Sequence, residues 1–307
     1  MTIAIYSHLA CLEHLLLPGH PESPDRLRAV LGALDHERYA AIERIDAPMA
    51  TREQLSRVHH ADLIAEVLDG PNLPYRQLDP DTAMTSGSAE AALRAAGAVC
   101  AAIDHVMSGD TRRAFCAVRP PGHHATADSA MGFCLFNSVA VGAAHAIAAH
   151  GLSRVAIMDF DVHHGNGTQD IFWNDPRVLY ASTHQSPLYP DTGRVDEHGS
   201  ADNIVNAPLP PGAGSAEFHA AIESVVLPAL DAFAPELLII SAGFDAHRLD
   251  PLANLNLEGD DYRWVTKQLV ALAERHCRSR IVSSLEGGYS IAALRECTQA
   301  HVDALIR

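Results

Sequence analysis

Val155-Ala-Ile-Met-Asp159-Phe-Asp161-Val-His163-His164-Gly165-Asn166-Gly167 is an apolar run that ends in carboxylates and imidazoles and then breaks into glycines. It reads as a buried strand delivering polar groups to its carboxyl end. Side chains alternate faces along a strand, so Asp159, Asp161 and His163 are expected to point the same way. Three such groups are costly to bury unpaired, which argues against residues that merely cap a following helix. A metal ion offsets that cost. Carboxylate oxygen with imidazole nitrogen suits zinc and its first-row neighbours, whereas an all-oxygen set suits magnesium or calcium.

The same design recurs along the chain. Leu237-Leu-Ile-Ile-Ser-Ala-Gly243-Phe-Asp245 is another apolar strand ending in a carboxylate, and Asp245 is the natural third metal ligand. A strand over 113–118 runs into Arg119-Pro-Pro-Gly-His123-His124, where prolines and a glycine fix the backbone and adjacent imidazoles must diverge toward different partners. A strand over 280–285 ends at Glu286-Gly-Gly-Tyr289.

Between these strands lie helical and loop patterns. Residues 2–6 form a first strand. Ser23 and Pro24 are placed to cap and open a helix whose buried stripe is Leu27, Val30, Leu31 and Leu34. Arg26 then falls in the first turn, an unfavourable place for a cation against the helix dipole, and so calls for a specific partner. Residues 41–45 read as a short strand and 51–68 as two short helices broken near His59-His60. Residues 70–85 read as a surface loop carrying Asp79 and Asp81, which can sit at a site rim but are more often ordinary loop acids. Alanine-rich helices are expected over 86–107 and from Asn137 to His150, further strands over 178–183 and 204–209, and helices over 216–233, up to His276, and over 291–306. The stretch 186–193 is a long turn-rich loop of the kind that carries function. Strand and helix alternate without a linker or repeat, which predicts one α/β domain over 1–307 with a mainly parallel central sheet, helices on both faces and an active site at the strand carboxyl ends.

Composition bounds the function. The chain has 307 residues, 48% hydrophobic, and a formal net charge of -16. That charge speaks against nucleic acid, whose binding needs a basic patch; it would steer in a cationic partner or substrate, but its simpler reading is that it keeps the protein soluble. No window approaches a membrane span and the N-terminus lacks a secretory pattern, so a cytoplasmic protein without a membrane partner is expected. The six cysteines form no C-x-x-C pair and read as reduced core thiols. Of the nineteen histidines, His36, His105, His145, His150, His276 and His301 sit in helical patterns and are expected to face solvent or to be satisfied locally.

Asp161, His163 and Asp245 would leave a coordination position open, the mark of a catalytic zinc site. Zinc lowers the pKa of water to about 7 and polarises a carbonyl, so metal-assisted hydrolysis is the expected reaction class. Either His123 or His124 can serve as general base and then acid. Asp159 can orient one imidazole and Asn166 the other. Tyr289, after two glycines, can offer its hydroxyl to an oxyanion.

Taken in order, His20-Pro-Glu-Ser-Pro-Asp-Arg26, Arg119-Pro-Pro-Gly-His-His-Ala125, Gly132-Phe-Cys-Leu-Phe-Asn137, Asp159-Phe-Asp-Val-His-His-Gly-Asn-Gly167, Ser241-Ala-Gly-Phe-Asp245 and Glu286-Gly-Gly-Tyr289 resemble the motifs of the zinc-dependent histone deacetylase family and span nearly the whole chain. Asn166 stands where class I members usually carry aspartate, which is similar to class II and bacterial deacetylase-like amidohydrolases, among them the acetylpolyamine amidohydrolases. The resemblance implies an arginase-like fold and hydrolysis of an N-acetyl amide to acetate and amine. It implies zinc on Asp161, His163 and Asp245, the carbonyl polarised by Tyr289, His124 as base and acid, and His123 as electrostatic support leaning on Asp159. It further implies structural potassium near Asp159, Asp161, His163 and Ser182. Phe133 and Tyr189 match the walls of an acyl-lysine channel also bordered by Gly132, Gly288 and Leu252, and Arg26 matches a cation behind the metal.

The sequence departs from the family pattern in places. Tyr189 replaces a commoner phenylalanine and Ser138 a frequent asparagine. Leu252 stands where polyamine-selective relatives carry glutamate, which disfavours a dedicated acetylpolyamine deacetylase against an enzyme for acetylated lysine or related amines. The short loop between His8 and His20 points to a monomer. A non-catalytic binder of acyl-lysine is a further reading, opposed by the intact set of ligands, histidines and tyrosine. The physiological substrate, its acyl length and the choice of zinc or iron stay open at this level.

Overall fold

A computed structural model describes residues 3–71 and 73–306. Its central sheet is built from β1 (Ile3–Ser7), β2 (Glu43–Asp46), β5 (Arg113–Cys116), β6 (Val155–Asp159), β7 (Val178–Gln185), β8 (Ile204–Leu209), β9 (Leu237–Ala242) and β10 (Ile281–Leu285), in the order β2-β1-β5-β10-β9-β6-β7-β8. Every pairing in it is parallel. Residue Thr2 of the expected first strand lies outside the described residues. A parallel sheet covered on both faces needs strands apolar throughout, and β5, β6, β7, β9 and β10 are buried along their whole length. The helices Ser88–Ser108 and Ser138–His150 bury alanine-rich faces, where small side chains let helix and helix approach closely.

The strand order decides where chemistry can occur. The chain runs outward through β6, β7 and β8, then returns to insert β9 and β10 between β6 and β5. The four central strands β5, β10, β9 and β6 therefore lie side by side with their carboxyl ends aligned. Those are the strands whose ends carry the polar motifs.

Several local expectations need correction. The stretch read as a plain loop holds an antiparallel hairpin, β3 (Arg76–Asp79) with β4 (Thr82–Met84). Its turn is closed by Asp79 accepting from the Asp81 amide at 3.1 Å, the aspartate-turn chemistry that competes with longer structure. The expected helix over 216–233 is α-helical at Ser215–Ala221 and Leu227–Phe233 but widens to a π-turn at Ile222–Val226. Pro228 lacks the N–H that would close an α-turn onto Ser224, and the Leu227 amide reaches back to Ile222 instead. Ser23 stands at the start of helix Pro24–Leu34, yet its side chain makes no capping bond. His301, expected near solvent or satisfied locally, is fully buried and bonded to Thr266 and Ser283. All six cysteines are buried and free. No helix among the described residues is long and apolar enough to cross a membrane.

Candidate active site

The stretch that ends β6 is wound by its own carboxylates. Asp159 accepts from the Asp161 amide at 3.1 Å and Asp161 accepts from the His163 amide at 2.9 Å. The strand stops at Asp159, so the convergence of Asp161 and His163 arises from these successive side-chain turns and not from the strand alternation that the sequence suggested. Just beyond β9, Asp245 receives the Val162 amide at 2.8 Å.

These contacts gather the proposed metal ligands. His163 Nδ1 lies 3.2 Å from Asp161 Oδ1 and 3.2 Å from Asp245 Oδ2, and both aspartates are buried. Burial opposes charge on His163, but the two carboxylates outweigh it and lift the imidazole to about 10. The trio thus draws positive charge to its centre. A divalent cation meets that demand with the donor set of a zinc site, so the residues fit the metal.

Above the trio sits the histidine pair. His123 Nδ1 is 3.0 Å from Asp159 Oδ2, which also accepts from the Tyr180 hydroxyl, and His124 Nδ1 is 2.8 Å from Asn166 Oδ1. Their rings are 4.0 Å apart. Glu286, at the end of β10, takes the amides of Gly122 and His123 at 2.6 and 3.2 Å and fixes the loop that carries both rings. Burial disfavours charge on His123, yet Asp161 and Asp159 hold it protonated to about 10. His124 is pushed well below the ordinary histidine range by burial and by the charges of His123 and His163. Adjacent residues are thereby divided into a charged and a neutral imidazole.

A cavity of about 260 Å³ opens over these groups, bounded by His124, His163, Tyr289, Phe133, Tyr189, Leu188, Leu252, Gly132 and Asp81. The Phe133 ring stands edge-on to Tyr289 at 5.9 Å and the Tyr189 ring to His124 at 5.2 Å. Gly132 has φ +58°, and a Cβ there would sit 2.6 Å from His124 Cγ and closer still to Cδ2 of the same ring, so the wall needs glycine twice over. Gly288, expected on the channel, instead turns its carbonyl to the Arg26 Nε at 2.6 Å and does not line the cavity. Burial of its hydroxyl end pushes the Tyr289 phenol well up, and the phenol keeps its proton.

Arg26 has the partners its awkward place in the helix demanded. It donates to Glu22 and to the carbonyls of Glu286 and Gly288, and its guanidinium lies 4.8 Å from the centre of the Tyr289 ring. Glu22 also receives two bonds of 2.6 Å from Arg119, a buried cluster that no spacing in the sequence announced. The hairpin was missed with it. Asp81 accepts from the Gly132 amide at 3.0 Å and Thr82 from the Phe133 amide at 2.9 Å, so β3 and β4 position the channel wall. Ser182 lies beside Asp159 across β6 and β7 and bonds His184 at 2.9 Å.

A second ligand-like group, Asp104 with His145 and His150, lies between two helices. There Arg57 donates to His145 Nδ1 at 2.9 Å, which leaves the proton on Nε2 to be donated to Asp104 at 2.7 Å. A metal-binding imidazole has the opposite pattern, with its outer nitrogen donating. The group is a satisfied hydrogen-bond cluster.

An Asp/His/Asp trio facing a histidine pair and a protonated phenol at the floor of a narrow channel defines a metal-dependent hydrolase that attacks a carbonyl. The histone deacetylase domain model matches residues 20–305, and the chain belongs to that family of hydrolytic deacetylases. It is 40% identical over 293 residues to the histone deacetylase-like amidohydrolase of Pseudomonas aeruginosa, covering 94% of this chain and 77% of that protein. It is 38% identical to type-2 histone deacetylase 2 of Dictyostelium discoideum, a much longer protein of which it spans 21% while 99% of this chain is matched. Among solved structures, the crystal structure of the HDA15 HD domain superposes with a TM-score of 0.94 at 37% identity, covering 99% of this chain and 88% of that one.

Proposed function

We propose that the protein hydrolyses the acetyl amide of N-acetyl-lysine side chains or of related N-acetylated amines, releasing acetate and the free amine. The observation that carries this reading is the cavity itself, an apolar channel that ends on His124, His163 and Tyr289. Its aromatic and aliphatic walls suit a flexible methylene chain, and its polar floor suits an amide.

Asp161, His163 and Asp245 are the residues to hold zinc, which when bound there polarises the amide carbonyl and activates water. Phe133 and Tyr189 flank the methylene chain and exclude solvent. Asn166 Oδ1 keeps the His124 proton on Nδ1, leaving Nε2 free to accept a proton from the attacking water. The same Nε2 then returns that proton to the departing amine. His123, held charged by Asp159, faces developing negative charge without giving up its proton, and the Tyr289 hydroxyl donates to the carbonyl oxygen as it becomes tetrahedral. Structural potassium is assigned to Asp159, Asp161, the His163 carbonyl and Ser182, a reading supported by the carboxylate and hydroxyl row where β6 meets β7.

An acetylpolyamine is the second substrate reading, and Leu252 counts against it because an apolar side chain at that position cannot pair a second ammonium. A turnover panel of acetyl-lysine peptide, acetylspermidine and longer acyl-lysines on zinc-loaded protein tests the proposal. Acetyl-lysine turnover exceeding that of acetylspermidine is expected, and preference for the polyamine would reverse the reading.

A further inference from the structure

We infer that Asp250 is the positioning residue that sets the height of Tyr289 in the channel. The segment from Glu286 to Ser290 is irregular backbone that must be satisfied group by group. The Glu286 amide goes to Ala242, the Gly287 carbonyl accepts from Phe244, the Gly287 amide goes to Asp161, and Arg26 takes the carbonyls of Glu286 and Gly288. The amides at the functional end of the segment have one acceptor between them. Asp250 Oδ2 receives the Tyr289 amide at 2.7 Å and the Ser290 amide at 3.3 Å.

Asp250 is itself buried and held. Its amide donates to the His247 carbonyl at 2.8 Å, and its Oδ1 accepts from the Leu252 amide at 3.0 Å. One carboxylate thus ties the tyrosine loop to the loop that begins at the metal-ligating Asp245 and ends at the channel wall Leu252. The Tyr289 ring is located by Arg26 on one side and by Phe133 on the other. Neither contact fixes how far along the channel axis the hydroxyl stands. That coordinate is set by the backbone, and the backbone there is set by Asp250. A displacement of about 1 Å in such a donor costs on the order of 100-fold in rate.

The inference rests on the placement of Tyr289 as the carbonyl donor, and the test separates the two. Asp250→Asn keeps the shape but turns an amide NH2 either toward Leu252 or toward Tyr289 and Ser290, opposing a donor with a donor. With acetyl-lysine peptide and zinc-loaded protein, D250N is expected to lower kcat at least about tenfold with KM within about threefold and zinc content unchanged, the pattern of an interaction made in the transition state. In a Tyr289→Phe background the same change is expected to cost less than about twofold, because the hydroxyl it positions is gone. A merely structural role would give equal losses in both backgrounds, and that result, or wild-type kcat in D250N, overturns the inference. Full activity of Tyr289→Phe alone overturns the placement of Tyr289 together with this inference. Should D250N fail to fold, Asp250→Glu, which keeps the charge and shifts it by one methylene, is expected to show the same kcat loss and the same insensitivity in Tyr289→Phe, with equal losses in both backgrounds again overturning it.

Discussion

The Gly287 amide donates to Asp161 Oδ2 over 2.8 Å, so the loop that presents Tyr289 is tied directly to a carboxylate of the proposed metal trio. The two cannot separate without disturbing both halves of the site. A Cβ at Gly287 would stand 2.5 Å from Asp161 Oδ2 and closer still to Asp245 Oδ2, two carboxylates that backbone amides hold in place. Gly287→Ala is therefore expected to bind well under one zinc per chain by metal analysis and to lose on the order of 100-fold in kcat/KM. A variant with full zinc occupancy and wild-type turnover would contradict the packing argument.

Behind the site, Glu22 pairs with two buried guanidiniums, those of Arg26 and Arg119. Burial alone would raise its carboxyl, but Arg119, with His14 and Arg26, holds it down at about 2. A group depressed in the folded state stabilises above its unfolded pKa and loses that contribution as pH falls from about 4.5 toward 2. Removing it outright leaves buried cations without a counter-charge. Glu22→Gln is expected to destabilise by about 3–5 kcal/mol in urea unfolding at pH 7, with most of the difference gone near pH 2 to 3.

Among the buried neutral histidines are His59 and His184, held at about 4, and His301, held at about 3, in each case mainly by burial. Their folded pKa values lie below the unfolded value of about 6.5, so the unfolded chain takes up more protons in that window. Stability is expected to fall as pH drops from 6.5 to 4, each group contributing up to about 1.4 kcal/mol per pH unit. Urea midpoints measured across this range check the sign. His301→Gln should flatten the slope, and an unchanged slope would contradict the assignment.

Leu252 lines the cavity with no charge to offer. Leu252→Glu is expected to raise kcat/KM for acetylspermidine relative to acetyl-lysine peptide by about fivefold, the scale of one exposed ion pair, and to lose that gain in high salt. A gain that survives high salt would mean that shape and not charge governs the position.

Much of this arrangement was legible in the sequence because strand ends announce themselves. Apolar runs terminating in Asp159, Asp245 and Glu286 placed the site at the carboxyl edge of a parallel sheet, and Arg26 in the first turn of its helix signalled a buried partner. What escaped were residues that act through backbone amides. Asp81 fixes Gly132 and Asp250 fixes Tyr289, in each case a side chain meeting an N–H about 40 to 50 residues away. A lone aspartate in a loop carries no spacing that distinguishes such a partner from solvent. The turn at Asp161 and His163 was masked for a related reason, since strand alternation and successive aspartate turns bring the same residues together.

The central claim is that Asp161, His163 and Asp245 hold a zinc ion on which amide hydrolysis depends. Release of amine from an acetyl-lysine peptide, followed before chelation, after chelation and after return of zinc, tests it most directly. Activity that disappears with the metal and returns with about one zinc per chain is the expected result. Undiminished turnover by the metal-free protein would contradict it.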